Sequence, residues 1–250
     1  TPSSMLRSLV GSEMCIRDRL GVIAHIRQTF YDSNWYLKAQ EIYAVYPSEN
    51  EPLASNISLE SLGMSRAVNK PFVFITTDET YSQRAINISS EFALNPWILG
   101  SGYEYRRIDY FSKTKPFFIL PIDFPSKPNV VKPMSDLQYS TAELKHWDIA
   151  PDNLFYLNNA GHDFSITSHY MKKKSEFRKN LQKIIDRGLS KDIVLSALTT
   201  QPAEAIGMQK SLGKIAPGYD ANLVVVDGEY FDPKSKIVSV WIEGKEHYIA

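Results

Sequence analysis

The chain has 250 residues, 43% of them apolar, and its 28 basic residues balance 28 acidic ones. This length allows one large domain or two small ones with a sizeable core, and the balanced charge gives no electrostatic reason to expect nucleic acid or an anionic membrane as a partner. No apolar stretch approaches the length of a membrane span, and the single cysteine, Cys15, excludes an internal disulfide and a cysteine zinc cluster.

The first 19 residues are interpreted as foreign to the protein. Residues 9–19 read LVGSEMCIRDR and resemble the translation of a sequencing-library adapter, and they have neither helical nor strand periodicity. We therefore predict that residues 1–19 are an artefactual, disordered tail without regular contacts to the fold. We also expect that the natural chain was cut upstream of Leu20, so the sequence leaves the cellular compartment open.

The remaining chain begins with helices and continues as alternating strands and helices. Leu20 to about Tyr46 has an aromatic-rich helical pattern, and a short helix is predicted around Leu59–Val68. Apolar runs predict strands at Phe72–Ile75, Trp97–Leu99, Phe117–Leu120 and Asp163–Thr167. Helical spacing is found at 85–92, Tyr103–Phe111, Ala142–Trp147, Phe177–Ile185 and after Ser190. Short apolar runs flanked by helices indicate a parallel α/β sheet or barrel, because such strands are covered on both faces.

The period of the pattern changes to two after about Leu212. Asn222–Val226 forms an apolar run that ends at an aspartate and a glycine, and the apolar residues between Val238 and Ile242 alternate with Ser239 and Trp241. Glu243 and Gly244 are typical of a tight hairpin turn. The sequence therefore predicts a small β subdomain at residues 205–250.

Two segments in this part of the chain resemble the closing signature of the amidohydrolase superfamily, which includes imidazolonepropionases and dihydroorotases. They are Leu198–Ala203 and Leu212–Asp227. Shorter segments are similar to large bacterial amidohydrolase-related proteins, namely Ile26–Gln28, Asn69–Pro71, Gly100–Glu104 and His146–Asp148. The resemblance implies an α/β fold in which residues 20–204 are the last four strand–helix units of a TIM-like (β/α) barrel and residues 205–250 are strands of a β-sandwich. The expected partner is then the missing amino-terminal half of the same protein.

The family chemistry implied by this resemblance is metal-dependent hydrolysis of non-peptide carbon–nitrogen bonds, with zinc or a similar divalent cation. In the family, a His-x-His pair upstream, histidines at the ends of the fifth and sixth strands and an aspartate at the end of the eighth strand form the centre. Here the three visible strand ends read Thr76-Thr77-Asp78, Gly100-Ser101-Gly102 and Thr167-Ser168-His169. We therefore expect a degenerate centre in which this segment holds no metal and no other cofactor.

The candidate site residues lie where barrel function normally lies, at the carboxyl ends of strands. His169 is the candidate catalytic residue, although a lone histidine is more often structural or exposed to solvent. Candidate substrate-binding residues at the barrel mouth are Asp78, Ser101, Asp123 and Ser168. For Asp78, a place at the start of a helix, where an acidic side chain is favourable, is the simpler interpretation. His146 is interpreted as a packed connector histidine.

Three functional hypotheses remain open from the sequence. The chain is a piece of an amidohydrolase-superfamily hydrolase, or it is a pseudoenzyme that serves as a scaffold or binds a ligand or partner within a larger protein. We favour the pseudoenzyme for this segment. A flavodoxin-like α/β binding domain explains the alternation of strands and helices but not the β subdomain.

Overall fold

A computed structural model of the protein describes residues 2–129 and 138–248, with side chains from Leu20 to His247. The helices are α1 Pro2–Val45, α2 Ile57–Ala67, α3 Glu79–Glu91, α4 Ile108–Thr114, α5 Thr141–Ile149, α6 Asn153–Asn159, α7 Phe177–Asp186, α8 Lys191–Leu198 and α9 Thr200–Ala205. The strands are β1 Pro71–Ile75, β2 Asn95–Leu99, β3 Phe117–Pro121, β4 Phe164–Thr167, β5 Leu223–Val226, β6 Ile237–Ile242 and β7 Lys245–Tyr248. Within the described residues, no helix is long and apolar enough to cross a membrane.

The chain divides into two compact units. The first consists of the residues up to Pro71 together with Ile88–Asn95, and the second consists of Phe72–Asn87 together with the residues from Pro96 onward. The predicted boundary between a barrel at 20–204 and a β subdomain at 205–250 was placed where the sequence period changes, not by contacts. It stays a prediction.

The first unit is a helical hairpin with a tight crossing. The hydroxyl of Ser33 in α1 donates a 2.8 Å hydrogen bond to the carbonyl of Leu59 in α2. A Cβ built on Gly63 in α2 would lie 2.2 Å from Cδ1 of Leu37 in α1, so any larger residue would force the Leu37 side chain to shift. Phe30 and Phe92 stack beside the crossing with ring centroids 4.9 Å apart.

The structure differs from the sequence prediction at the amino terminus. Residues 1–19 were expected to be a disordered tail, whereas the backbone of α1 is helical from Pro2 onward. Thr1 and the side chains of residues 2–19 lie outside the described part, so the predicted lack of regular contacts stays a prediction.

The second unit contains a four-stranded sheet in the order β1-β2-β3-β4, with parallel pairing of β2 to β3 and of β3 to β4. This arrangement, with α-helices between the strands, confirms the predicted α/β fold class. One face of the sheet, with Phe118 and Phe164 fully buried, packs against apolar side chains of the flanking helices. These helical residues are Ala85, Ile86, Phe111, Leu154, Leu181 and Ile184. Burial of such side chains contributes about 1.5–3 kcal/mol each and holds the strands in register.

The opposite face of the sheet is only partly covered. Trp97 pairs with Phe117 in the register of β2 and β3, and their ring centroids are 5.1 Å apart. In β1, Val73 is 55% exposed and Ile75 is 69% exposed. Since side chains alternate between faces along a strand, β1 presents Val73 and Ile75 together as an apolar surface.

The small second sheet has the antiparallel order β5-β6-β7. The turn between β6 and β7 has positive φ at Glu243 and Gly244, as the sequence predicts for a tight hairpin. The guanidinium of Arg178 in α7 donates hydrogen bonds to the carbonyls of Tyr230, Ser235 and Asp232 in the segment between β5 and β6. This sheet is therefore anchored to α7 of the same unit through its connecting segment.

Candidate functional site

The carboxyl ends of β1, β2 and β3 open into one cleft of about 760 Å³, which also reaches the segment after β4 and is here called the mouth cleft. Its lining consists of Thr76, Thr77, Ser101, Tyr103, Pro121, Asp123, Phe124, Pro125, Ser126, His146, Tyr170, Lys172, Lys173 and Glu176. Parallel strands place their carboxyl ends at one edge of the sheet, and this edge is where barrels and open α/β sheets bind ligands.

A buried carboxylate shapes the loop after β2. Oε1 of Glu104 accepts a 2.6 Å hydrogen bond from the backbone N–H of Ser101, and Oε2 accepts a 3.0 Å bond from the N–H of Gly102. The side-chain amide of Asn153 donates to Oε2 at 2.8 Å. Glu104 is fully buried, and its partners stabilise the charge that burial would otherwise penalise. A Cβ on Gly100 would lie 2.7 Å from Oε1, so the loop closes around this carboxylate.

The wall of the cleft contains a stack of rings. The imidazole of His146 in α5 lies on the ring of Tyr103, with centroids 3.7 Å apart and an interplanar angle of 17°. The hydroxyl of Tyr105 is 3.3 Å from Nδ1 of His146. The guanidinium of Arg106 is 4.4 Å from the centroid of Tyr103 and forms an ion pair with Glu79 at 3.5 Å.

The environment of His146 keeps its ring neutral. Burial is the larger cause and the positive charge of Arg106 the smaller one, and together they lower the pKa of His146 to about 4. His146 is only 8% exposed, yet it belongs to the lining of the mouth cleft. An uncharged imidazole at neutral pH can donate one hydrogen bond and accept another.

The charged residues of the cleft lie on the segments after β3 and β4. Lys173 is 3.9 Å from Glu176, an exposed pair of the kind that contributes little to stability. Lys172 and Asp123 also line the cleft. The two lysines balance the two carboxylates, so the cleft has no formal excess of either charge at neutral pH.

The five residues singled out from the sequence fall into two groups. Ser101 and Asp123 line the mouth cleft, whereas Asp78, Ser168 and His169 do not. His169 is exposed, and its ring lies 4.1 Å from that of Tyr170. Its backbone N–H bonds to the hydroxyl of Thr167 at 3.1 Å.

Asp78 starts α3 as a capping residue. Its Oδ1 accepts hydrogen bonds from the backbone N–H groups of Thr80 at 2.8 Å and Tyr81 at 3.0 Å. Burial acts to raise the pKa of Asp78, but these bonds and that from the Thr80 hydroxyl outweigh it and hold the pKa below its usual value. The side chain is therefore engaged by the helix terminus, as the capping alternative predicts.

A catalytic zinc ion does not fit the side chains seen at the strand ends. Tight zinc sites take at least three well-placed protein ligands, and among residues 20–129 and 138–247 no group of three His, Cys, Asp or Glu side chains is close enough to hold a metal ion. Of the potential ligands, Asp78 is used by the cap of α3 and His169 lies outside the cleft lining. No chemical step is therefore assigned to a metal on these residues.

The sequence analysis did not identify His146, Tyr103 and Tyr105 as site residues. The sequence interprets His146 as a packed connector histidine, and the side chain is indeed packed. Its position beside Tyr103 depends on a contact between residues more than 40 positions apart. The predicted helix at Tyr103–Phe111 is in fact a 3-10 turn at Glu104–Arg107 followed by α4, because Glu104 turns inward to the loop. The Gly-Ser-Gly-Tyr-Glu segment was the one available signal.

Comparison with known proteins gives one family match. The model described as "Amidohydrolase family" matches residues 149–247. The chain is also 39% identical over 61 residues to "Amidohydrolase tasK" of Hapsidospora irregularis, which is 24% of this chain and 6% of that protein.

Solved structures resemble a larger part of the fold. An amidohydrolase from Thermotoga maritima MSB8 aligns with a TM-score of 0.71 and 22% identity, over 92% of this chain and 56% of that one. A Xaa-Pro dipeptidase with bound methionine aligns with a TM-score of 0.56 and 12% identity, over 75% and 47% of the two chains. A prolidase complexed with N-methylphosphonate-L-proline gives 0.52 and 18%, over 74% and 46%. The chain thus spans about half the length of these structures, and the similarity concerns the fold.

Proposed function

We propose that the chain forms the ligand-binding part of a barrel whose visible strand ends do not build a metal centre, since the amidohydrolase family model matches residues 149–247 and a solved amidohydrolase shares the fold. The observation that carries this proposal is the mouth cleft, which combines aromatic walls with a desolvated histidine at the carboxyl edge of the sheet. Small-molecule sites combine apolar walls with polar groups that orient the ligand, and the mouth cleft offers aromatic rings beside several polar and charged side chains.

Within the whole protein, the segment acts as a pseudoenzyme in this proposal. Tyr103, Phe124 and Tyr170 provide apolar contact area, and polar groups such as Ser101 and His146 orient the ligand. The partly covered sheet face with Val73 and Ile75 contacts the remaining strands of the barrel, which we take to lie in the amino-terminal half of the same protein.

Ligand-observed NMR on the whole protein tests this proposal with a set of small aromatic and heterocyclic molecules. Tyr103→Ala removes a cleft wall, and Tyr156→Ala is the matched control because Tyr156 is exposed in α6 and does not line the cleft. We expect binding that Tyr103→Ala weakens at least several-fold and Tyr156→Ala leaves unchanged. Absence of binding, or equal effects of the two variants, would reject the cleft as the ligand site.

A second candidate function is hydrolysis of non-peptide carbon–nitrogen bonds by the whole protein, favoured by the family match at residues 149–247. This activity needs metal ligands from outside the described side chains. Metal analysis after dialysis and assays on hydantoin-like and imidazolone-like substrates distinguish the two functions. Stoichiometric zinc that His169→Ala removes would overturn the pseudoenzyme proposal and would make His169 a ligand.

A further inference from the structure

The hydrogen bonds around Tyr105 assign a direction to the imidazole of His146. Nε of Arg106 donates to the hydroxyl oxygen of Tyr105 at 3.3 Å, and the same hydroxyl lies 3.3 Å from Nδ1 of His146. Arg106 offers no acceptor and Nδ1 of a neutral imidazole does, so we assign the phenolic hydrogen to Nδ1. Nδ1 is then the accepting nitrogen of the ring.

The other ring nitrogen of His146 carries the proton. Burial and the nearby Arg106 charge keep the ring neutral at physiological pH, so a ring that accepts at Nδ1 is protonated at Nε2. Within the described part of the chain, Nε2 has no hydrogen-bond partner, and it is not sealed from solvent as the two ring nitrogens of His162 are. His146 is mostly buried and lines the cleft, so an acceptor oxygen of a ligand there can take the place of the solvent that otherwise satisfies this donor.

We propose that His146 determines the specificity of the mouth cleft by donating a hydrogen bond from Nε2 to a carbonyl or carboxylate oxygen of a planar ligand. The ring stack with Tyr103 fixes the orientation of the imidazole, and the Tyr105 hydroxyl fixes its tautomer. Tyr170 and Phe124 supply further aromatic walls for the planar part of the ligand. This inference rests on the proposed ligand-binding function and adds the chemical class of the ligand.

The charges that line the cleft decide between the two acceptor types. Lys172 favours a carboxylate and Asp123 opposes it, whereas Lys173 and Glu176 are paired with each other. Benzoate and benzamide both carry a ring and an acceptor oxygen but differ in charge. Comparing them therefore distinguishes a carboxylate ligand from a neutral carbonyl ligand. Benzylamine has the same ring and no acceptor oxygen.

The experiment measures the affinities of benzamide, benzoate and benzylamine for the whole protein by ligand-observed NMR. In the wild type we expect at least one acceptor ligand to bind about 3- to 10-fold more tightly than benzylamine, the range that one net hydrogen bond provides. His146→Phe keeps a ring for the stack with Tyr103 but removes the donor, and it abolishes the preference. His146→Gln restores a side-chain N–H and part of the preference.

Two further variants, His169→Phe and Tyr105→Phe, serve as controls. His169→Phe makes the same substitution at an exposed histidine outside the cleft lining, and the preference remains. Tyr105→Phe removes the hydroxyl that fixes the tautomer, and the preference decreases without disappearing. A preference that survives His146→Phe overturns this inference alone. Failure of all three molecules to bind overturns the ligand-binding function as well.

Discussion

The side-chain amide of Asn153 at the start of α6 donates a 2.8 Å hydrogen bond to the fully buried carboxylate of Glu104. Its carbonyl oxygen accepts a second bond, of 2.8 Å, from the backbone N–H of Tyr105. The two residues are 49 positions apart, and together they connect the loop after β2 to the helix that precedes β4. The ring stack on the wall of the mouth cleft depends on this connection, because Tyr103 and Tyr105 flank Glu104 in sequence.

Replacement of the buried carboxylate is expected to destabilise the loop. Glu104→Gln places an N–H₂ group among hydrogen-bond donors from Ser101, Gly102 and Asn153. We expect the free energy of unfolding to fall by about 1–3 kcal/mol, the cost of unmet buried polar groups. Chemical denaturation measures the change, and Glu204→Gln on the exposed surface of α9 is the matched control. An unchanged midpoint for Glu104→Gln would contradict the described hydrogen-bond set.

Two glycines in the helical unit are expected to respond in opposite directions to the same substitution. In Gly63→Ala, the new Cβ collides with Cδ1 of Leu37, and overpacking of this kind costs about 1–3 kcal/mol. In Gly21→Ala, the new Cβ meets nothing within 4 Å, and alanine stabilises an exposed helix interior by up to about 1 kcal/mol relative to glycine. Thermal unfolding monitored by circular dichroism checks both signs.

Stability is expected to fall in mild acid because of His146. The folded-state pKa of about 4 lies below the ordinary 6.5, so the unfolded chain binds more protons between these two values. The contribution is therefore complete above about pH 6.5 and is lost progressively as the pH falls toward 4, by about 3 kcal/mol or less. The pKa of His162 is lowered in the same direction, by burial first and by Lys115 second, and it adds to the effect.

A pH series of denaturation midpoints tests this dependence on His146. His146→Phe has no titratable ring, so we expect its stability to vary less than that of the wild type between pH 6.5 and 4. His169→Phe is the control at an exposed position. Parallel pH profiles for the wild type and His146→Phe would be inconsistent with the lowered pKa.

The partly covered sheet face is expected to bind a hydrophobic dye when the chain is expressed by itself. Val73 and Ile75 are exposed on β1, and Trp97 and Phe117 on the neighbouring strands are only half-buried. Ile75→Thr should lower dye fluorescence, because it interrupts an extended apolar surface. Ile57→Thr removes a similarly exposed isoleucine between the polar residues Asn56 and Ser58, and we expect a smaller change. Equal effects would argue against a continuous apolar face on the sheet.

Local patterns allowed most elements to be predicted because their period reports which side chains are buried. The run Phe117–Leu120 is apolar on both faces and forms β3, and the alternation before Ile242 forms β6. The short helix α6 was not predicted. Its seven residues are too few to establish a helical period, and it is held by burial of Leu154 and Leu157.

The sequence by itself determined the alternation of strands and helices and the separate antiparallel sheet, because periodicity is a property of contiguous residues. Only the tertiary structure decided the composition of the mouth cleft. It placed His146 of α5 on Tyr103 after β2, and it left His169 exposed outside the lining. Hydrophobic periodicity tells which face of a helix is buried, but not which distant residue that face will meet. The protonation state of His146 depends on its contacts with Tyr105 and Arg106, which form only when the chain folds.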